Sequence, residues 1–231
     1  MPPVPAKRLQ SGRHNLTREE VVASQRRRLL DATVSAVAER GYAAATVADV
    51  IARAGVSRST FYDQFSDKED CFVAAHEDLI ERLVAYVGRS YVRGGTLADK
   101  VRLGLRAFLE ALAARPEGAR FALVEVMAAG PRAHEQHRAA VREFVRFFDE
   151  ARELAEDGER LPASLSQVVV GGVTRLVYEE VLAGRSKALP KLLPELVYLA
   201  LVPYVGHERA LAEMEATAGD RGATGSPEAA A

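Results

Sequence analysis

Thr46-Val-Ala-Asp-Val-Ile-Ala-Arg-Ala-Gly-Val-Ser-Arg-Ser-Thr-Phe-Tyr-Asp-Gln-Phe-Ser-Asp-Lys68 spells two short helices joined by a tight turn. The first opens at Thr46, whose hydroxyl caps a free N–H while Asp49, three residues on, reaches back. Val47, Val50 and Ile51 recur at i, i+3, i+4, the apolar stripe of a packed helix. Gly55 ends it, because the following turn favours a residue that tolerates positive φ. Ser57 caps a second helix with Arg58, Ser59, Thr60, Tyr62 and Gln64 outward and Phe61 and Phe65 inward. This arrangement predicts a helix-turn-helix, whose second helix enters a DNA major groove. The outward residues have the chemistry for it, with arginine for guanine edges or phosphate, hydroxyls for bases or phosphate, and tyrosine for phosphate. The same pattern also fits two capped surface helices with merely solvated side chains, so the context decides.

The context resembles the DNA-binding domain of the TetR family of bacterial regulators. The resemblance starts at Arg28-Leu-Leu-Asp-Ala32 and Ala38-Glu-Arg-Gly-Tyr42, which match that family's first helix and its exit. It runs through Thr46-Val-Ala-Asp-Val-Ile-Ala52, Ala54-Gly-Val-Ser57 and Ser59-Thr-Phe-Tyr62, and closes with Phe65-Ser-Asp-Lys-Glu-Asp70. It covers about residues 25–75. The rest of the chain agrees with the family only in length and helical character.

Charge is distributed to match. The 231 residues carry a net charge of −1 and are 48% hydrophobic, enough for one or two small domains with a core. Residues 1–65 hold ten Lys/Arg against six Asp/Glu, a net of +4, which leaves −5 for the remainder. A basic end on an acidic body suits docking on DNA by one face. The single cysteine, Cys71, rules out an intrachain disulfide and fits a reducing, cytoplasmic setting. No uncharged apolar run of transmembrane length stands out, and the Pro/Arg-rich start lacks the apolar segment of a signal peptide.

Capping boxes and breakers divide the chain into about nine helices, all-α, with no strand and no repeat. Residues 1–16 read as a flexible basic arm and 17–65 as the three-helix, helix-turn-helix DNA-binding domain. Residues 66–206 read as a larger helical ligand-binding and dimerisation domain, and 207–231 as a largely disordered tail. Thr17 to Glu20 open the first helix, Ser66 to Glu69 the fourth, Thr96 to Asp99 the fifth and Ser164 to Gln167 the eighth. Pro203 is expected to bend the last turn of the ninth.

The resemblance implies a DNA-contacting set of Thr46, Ser57, Arg58, Ser59, Thr60, Tyr62, Gln64 and Lys68. Thr46 marks a phosphate-contacting helix start, and Arg58, Ser59 and Thr60 fall where family members reach bases. Tyr62 and Gln64 occupy positions that meet phosphate or the groove edge, and Lys68 matches a phosphate-binding lysine. Ala48 departs from the pattern, since some relatives place a base-reading arginine there. Arg26, Arg27 and Arg28 lie about 100° apart around one helix, so they predict a mostly solvated face with one phosphate contact.

Two late segments, Leu165–Tyr178 and Leu192–Val202, are apolar on nearly every side and must be buried all round. They predict a four-helix interface between two copies, which is also how the TetR family dimerises. A two-fold dimer implies double-stranded DNA with a pseudo-palindromic operator. Candidate residues for a small-molecule pocket are Tyr86, Phe108, Phe121, Glu125, Met127, Phe144, Phe148 and Tyr178, with Tyr91. Glu125 reads as a carboxylate for a cationic ligand or a partner for Arg175. His134 and His137 have no third ligand at metal-site spacing, so no metal, cofactor or catalytic residue is assigned. The expectation is a homodimeric, ligand-responsive transcriptional regulator, a repressor released from its operator by a hydrophobic effector. The alternative is a helical small-molecule binding or interaction protein without specific DNA recognition. The two differ in whether binding to DNA is sequence-selective.

Overall fold

The structure, a computed structural model, describes residues 17–223, with side chains through Asp220. The basic arm of residues 1–16 and the end of the tail lie outside the described residues. Ten α-helices follow one another, with no strand among the described residues. α1 (Arg18–Arg40) opens on the Thr17/Glu20 capping box and ends at Gly41. α2 (Val47–Ala54) opens on Thr46/Asp49, and Gly55 leaves it in the left-handed region at φ 62°. α3 (Arg58–Tyr62) is capped by Ser57.

α4 (Lys68–Tyr91) is capped by Asp67 rather than Ser66: Asp67 Oδ1 accepts the Asp70 N–H at 2.7 Å. Ser66 instead donates its own N–H to Asp70 Oδ2 at 2.9 Å. The carboxylate outcompetes the hydroxyl for the helix N-terminus because it carries a full negative charge to the positive dipole end. α5 (Leu97–Ala114), α6 (Pro116–Leu123) and α7 (Pro131–Leu154) follow, with a 3-10 turn at Glu125–Ala128 between the last two. α8 (Leu165–Leu182) starts after Ser164, whose side chain makes no cap bond. A 3-10 segment, Ser186–Leu192, leads into α9 (Leu193–Val205), which contains Pro203.

The tail differs from expectation. His207–Ala223 form α10, packed on α9, with Ala210 and Thr217 fully buried. Arg102 of α5 pairs with Asp220 at 3.5 Å. Small residues read as disorder when only composition is weighed, yet alanine is the best helix former and lets two helices approach closely.

Apolar side chains form two principal cores. Leu29, Ala36, Val37, Val50, Phe61 and Phe65 fill the one near the N-terminus. That core does not stop at residue 65, because Cys71, Phe72 and Ala75 of α4 and Phe121 and Val126 beyond α5 complete it. The second core joins α4, α5, α8, α9 and α10 through residues such as Val87, Leu109, Val177, Leu196 and Leu201. The run Ser186–Val205 has the length and mean hydropathy (1.3) of a membrane span. Its Leu189, Leu193, Leu196, Val197, Ala200 and Leu201 are core residues here.

Candidate nucleic-acid interface

α2 and α3 owe their starts to side-chain caps, reciprocal at α2. Thr46 N–H donates to Asp49 Oδ2 at 2.9 Å and Asp49 N–H to Thr46 Oγ1 at 3.2 Å. The Thr46 hydroxyl and backbone N–H hold the Asp49 carboxyl below the usual carboxylate range. Ser57 Oγ accepts the Thr60 N–H at 3.1 Å and lies 2.8 Å from both Ser59 Oγ and Thr60 Oγ1. These hydroxyls form a local exposed network at the front of α3, next to Arg58.

Arg58 and Tyr62 stand together on the exposed side of α3. The guanidinium lies 5.3 Å over the Tyr62 ring, and Arg58 Nη2 reaches the Tyr62 hydroxyl at 3.4 Å. Phe61, on the opposite side, is fully buried and meets Phe65 at 5.7 Å between ring centroids. Gln64 departs from the outward set: its Oε1 is buried and has no hydrogen-bond partner among the described residues. α3 ends at Tyr62, so Gln64 falls outside the helical register that would aim it at the groove.

Lys68 also departs from the free phosphate-reaching lysine. Its ammonium donates to the carbonyl oxygens of Tyr42 (2.8 Å) and Ala45 (3.0 Å) and sits 4.1 Å over the Tyr42 ring. Burial lowers its pKa. The arginine trio is mostly solvated, with Arg26 and Arg27 exposed and Arg28 half-buried, and each also has a partner within the protein. Arg28 Nη1 donates to the Ala54 carbonyl at 3.0 Å, where the C-terminal dipole end of α2 favours a cation. Arg26 lies 4.7 Å over Phe65, and Arg27 pairs with Asp78 at 3.4 Å.

Away from the helix-turn-helix, α4, α5, α7 and α8 line a partly open cavity of about 50 Å³. Phe108, Phe144, Phe148 and Tyr91 of the expected pocket set line it, together with Val87, Val101, Phe147, Val170, Val173 and Thr174. Among the described residues, no charged side chain lines it. The Thr174 hydroxyl is already bonded to the Val170 carbonyl at 2.8 Å, and the Tyr91 hydroxyl to the Phe147 carbonyl at 3.0 Å. Gly104 keeps this wall close, since a Cβ there would come within 3.3 Å of the Tyr91 ring.

The other pocket candidates sit elsewhere. Phe121 is in the N-terminal core, 4.3 Å from the Phe72 ring. Tyr86 packs on the outside of the second core, and Met127 is 54% exposed. Tyr178 lies under Arg175 on the surface of α8. Glu125 pairs with Arg120 at 2.9 Å, while Arg175 pairs with Glu179. An apolar helix face fixes which side is buried, not which of two cores receives it. His134 is exposed, with Nε2 2.8 Å from the Met127 carbonyl, and no metal-binding cluster occurs among the described residues.

The family profile for bacterial regulatory proteins, tetR family, matches residues 29–75, from the middle of α1 into α4. Residues 29–75 therefore carry a tetR-family N-terminal domain. The fold of the whole agrees with solved TetR-type structures. The fatty acid degradation regulator FadR from Bacillus halodurans superposes with a TM-score of 0.70 at 22% identity, covering 77% of this chain and 94% of that one. FadR from Bacillus subtilis in complex with stearoyl-CoA gives 0.66 at 17% identity, covering 78% and 97%. A TetR family transcription regulator from Marinobacter aquaeolei VT8 gives 0.63 at 20% identity, covering 80% and 97%. At these identities the likeness is one of fold. No curated protein matches the chain at the sequence level.

Proposed function

We propose that the chain is a homodimeric transcriptional repressor that leaves a pseudo-palindromic operator when a hydrophobic effector enters the α4–α5–α7–α8 cavity. The observation that carries the reading is the exposed front of α3. Arg58, Ser59 and Thr60 stand together on a capped helix start, backed by a core that holds them rigidly. In this reading Arg58, Ser59 and Thr60 reach base edges, while Ser57, Tyr62 and the N-terminus of α2 at Thr46 meet phosphate or the groove rim.

Dimerisation is supported by what α8 and α9 leave uncovered. Val168 is 67% exposed, and Leu182 and Leu199 are exposed as well. A Cβ added at Gly171 or Gly172 would meet nothing within 4 Å, so a second α8 has room to approach. An apolar, uncharged cavity favours an alkyl or aromatic group. The stearoyl-CoA held by the Bacillus subtilis neighbour is an example of such chemistry in this fold. Effector binding would favour a state whose two recognition helices are wrongly spaced, by its differential affinity for the two states.

The test is selection of bound sites from random DNA at fixed salt, followed by thermal-shift screening of acyl and aromatic ligands against the complex. Selected sites bound no tighter than random duplex would sink the DNA reading and leave a helical small-molecule binding protein.

A further inference from the structure

The segment between α6 and α7 meets the N-terminal helices at Tyr42, in the turn between α1 and α2. α1 ends at Gly41, so the Tyr42 N–H has left the helical ladder and needs another acceptor. It finds Glu125 Oε2 at 2.9 Å, 83 residues away in sequence. Glu125 is buried, and its Oε1 lies 2.9 Å from Arg120 Nη2, which orients the carboxylate. On the other side, the Tyr42 carbonyl and ring are held by Lys68 at the start of α4. One residue is thus gripped by the Glu125 carboxylate, in the segment ahead of α7, and by the Lys68 ammonium of α4.

The position of Glu125 gives the grip a direction. It opens the 3-10 turn that leads into α7, and α7 carries Phe144, Phe147 and Phe148 of the cavity wall. A second tie runs parallel. Arg132, at the start of α7, donates its backbone N–H to Glu69 Oε1 at 3.1 Å and pairs with Asp70 at 2.8 Å. Four residues past Tyr42, Thr46 caps α2, which in turn seats α3.

We infer that Glu125 is a positioning residue for DNA binding. Oriented by Arg120, it fixes the α1–α2 turn, and through it the recognition helix, against the helices that line the cavity. The inference rests on the reading of the chain as a DNA-binding regulator. A shift of α7 is then felt at the DNA face, because a buried carboxylate either keeps the Tyr42 N–H or leaves it unpaired at a cost. A role confined to satisfying one buried N–H would change stability alone and leave DNA discrimination untouched.

The test uses the full chain as wild type, Glu125→Ala, Glu125→Gln and Arg120→Met. Glutamine keeps an amide oxygen for the Tyr42 N–H but loses the charge and the second oxygen that faces Arg120. Two quantities are read: hydrogen exchange of the Tyr42 amide in free protein, and affinity for a wild-type-selected duplex against a scrambled one. Glu125→Ala is expected to speed Tyr42 exchange and weaken the selected duplex by about tenfold each, with the scrambled duplex within about twofold. Glu125→Gln is expected to restore most of both. Unchanged Tyr42 exchange, or equal loss on both duplexes, overturns the inference. If Glu125→Ala does not fold, Arg120→Met decides: a reduced ratio of selected to scrambled affinity supports it, and an unchanged ratio overturns it. Wild type binding both duplexes alike would defeat the DNA reading instead, and the exchange measurement, which uses no DNA, still decides whether Glu125 holds the turn.

Discussion

Lys68 Nζ lies 2.8 Å from the carbonyl oxygen of Tyr42, so the lysine expected to reach for phosphate is turned inward to hold the α1–α2 turn. With the Ala45 carbonyl and the Tyr42 ring as further partners, its charge already has three neighbours. Lys68→Met removes charge-assisted bonds from a partly buried site and is expected to destabilise the chain by about 1–3 kcal/mol. DNA affinity falls as well, because the start of α2 loosens. The slope of log affinity against log salt stays at the wild-type value. A slope reduced by about one would show that the ammonium neutralises a phosphate after all.

Arg58→Ala has the opposite signature. Arg58 is held by the Tyr62 hydroxyl at 3.4 Å, and its removal leaves that ring in place without opening the core. Stability is expected to be unchanged within about 0.5 kcal/mol, as for other surface substitutions. Affinity for the selected site falls by about 1–3 kcal/mol, with one base position relaxed in a repeated selection. Equal loss on selected and random DNA would count against base reading.

Local relationships are legible in the sequence and distant ones are opaque. Thr17/Glu20, Thr46/Asp49 and Thr96/Asp99 are capping boxes whose partners sit three residues apart, so spacing alone identifies them. Ser66 and Asp67 are adjacent competitors for one helix end, and spacing cannot rank them. Glu125 is recognisable as a carboxylate on an apolar face, yet its acceptor role depends on a backbone N–H brought to it by the tertiary fold. Phe121 and Phe108 look alike in sequence, and only packing sends one to the N-terminal core and the other to the cavity. α3 is legible because its cap, its buried Phe61 and its exposed Arg58 all lie within five residues.

Phe108→Ala probes the cavity from its own wall. Phe108 is buried and meets Phe144 at 5.5 Å between centroids. Truncation enlarges an apolar void and is expected to cost about 3–5 kcal/mol in urea unfolding at constant m-value. An apolar molecule of benzene size should then bind and recover part of that loss, since an enlarged apolar cavity stays dry. Loss without ligand rescue would mean that the cavity collapses around the smaller side chain.

His76 supplies a pH dependence that runs against the one contributed by Asp31, whose carboxyl is raised chiefly by burial. Its ring is fully buried, Nε2 lies 3.3 Å from the Ala122 carbonyl, and Nδ1 has no hydrogen-bond partner among the described residues. Burial, reinforced by His137 at 6.1 Å and only partly opposed by the Ala122 carbonyl, lowers its pKa from 6.5 to about 4. Between those values the unfolded chain binds more protons than the folded one, so stability falls as pH falls. The gap corresponds to about 3 kcal/mol, most of it lost between pH 6.5 and 4.5. Asp49, Asp70 and Asp99, whose pKa values are lowered, release most of their stabilisation further into acid, and the lowered Glu135 and Glu180 begin to release theirs near the lower end of this range. His137, half-buried and also lowered chiefly by burial, with His134 adding to it, acts in the same direction as His76. Urea unfolding at pH 7.0 and 4.5 is therefore expected to show a loss of about 2–3 kcal/mol in wild type. His76→Gln starts from lower stability and should lose less than half as much over the same interval. An equally steep loss in that variant would place the proton uptake on another group.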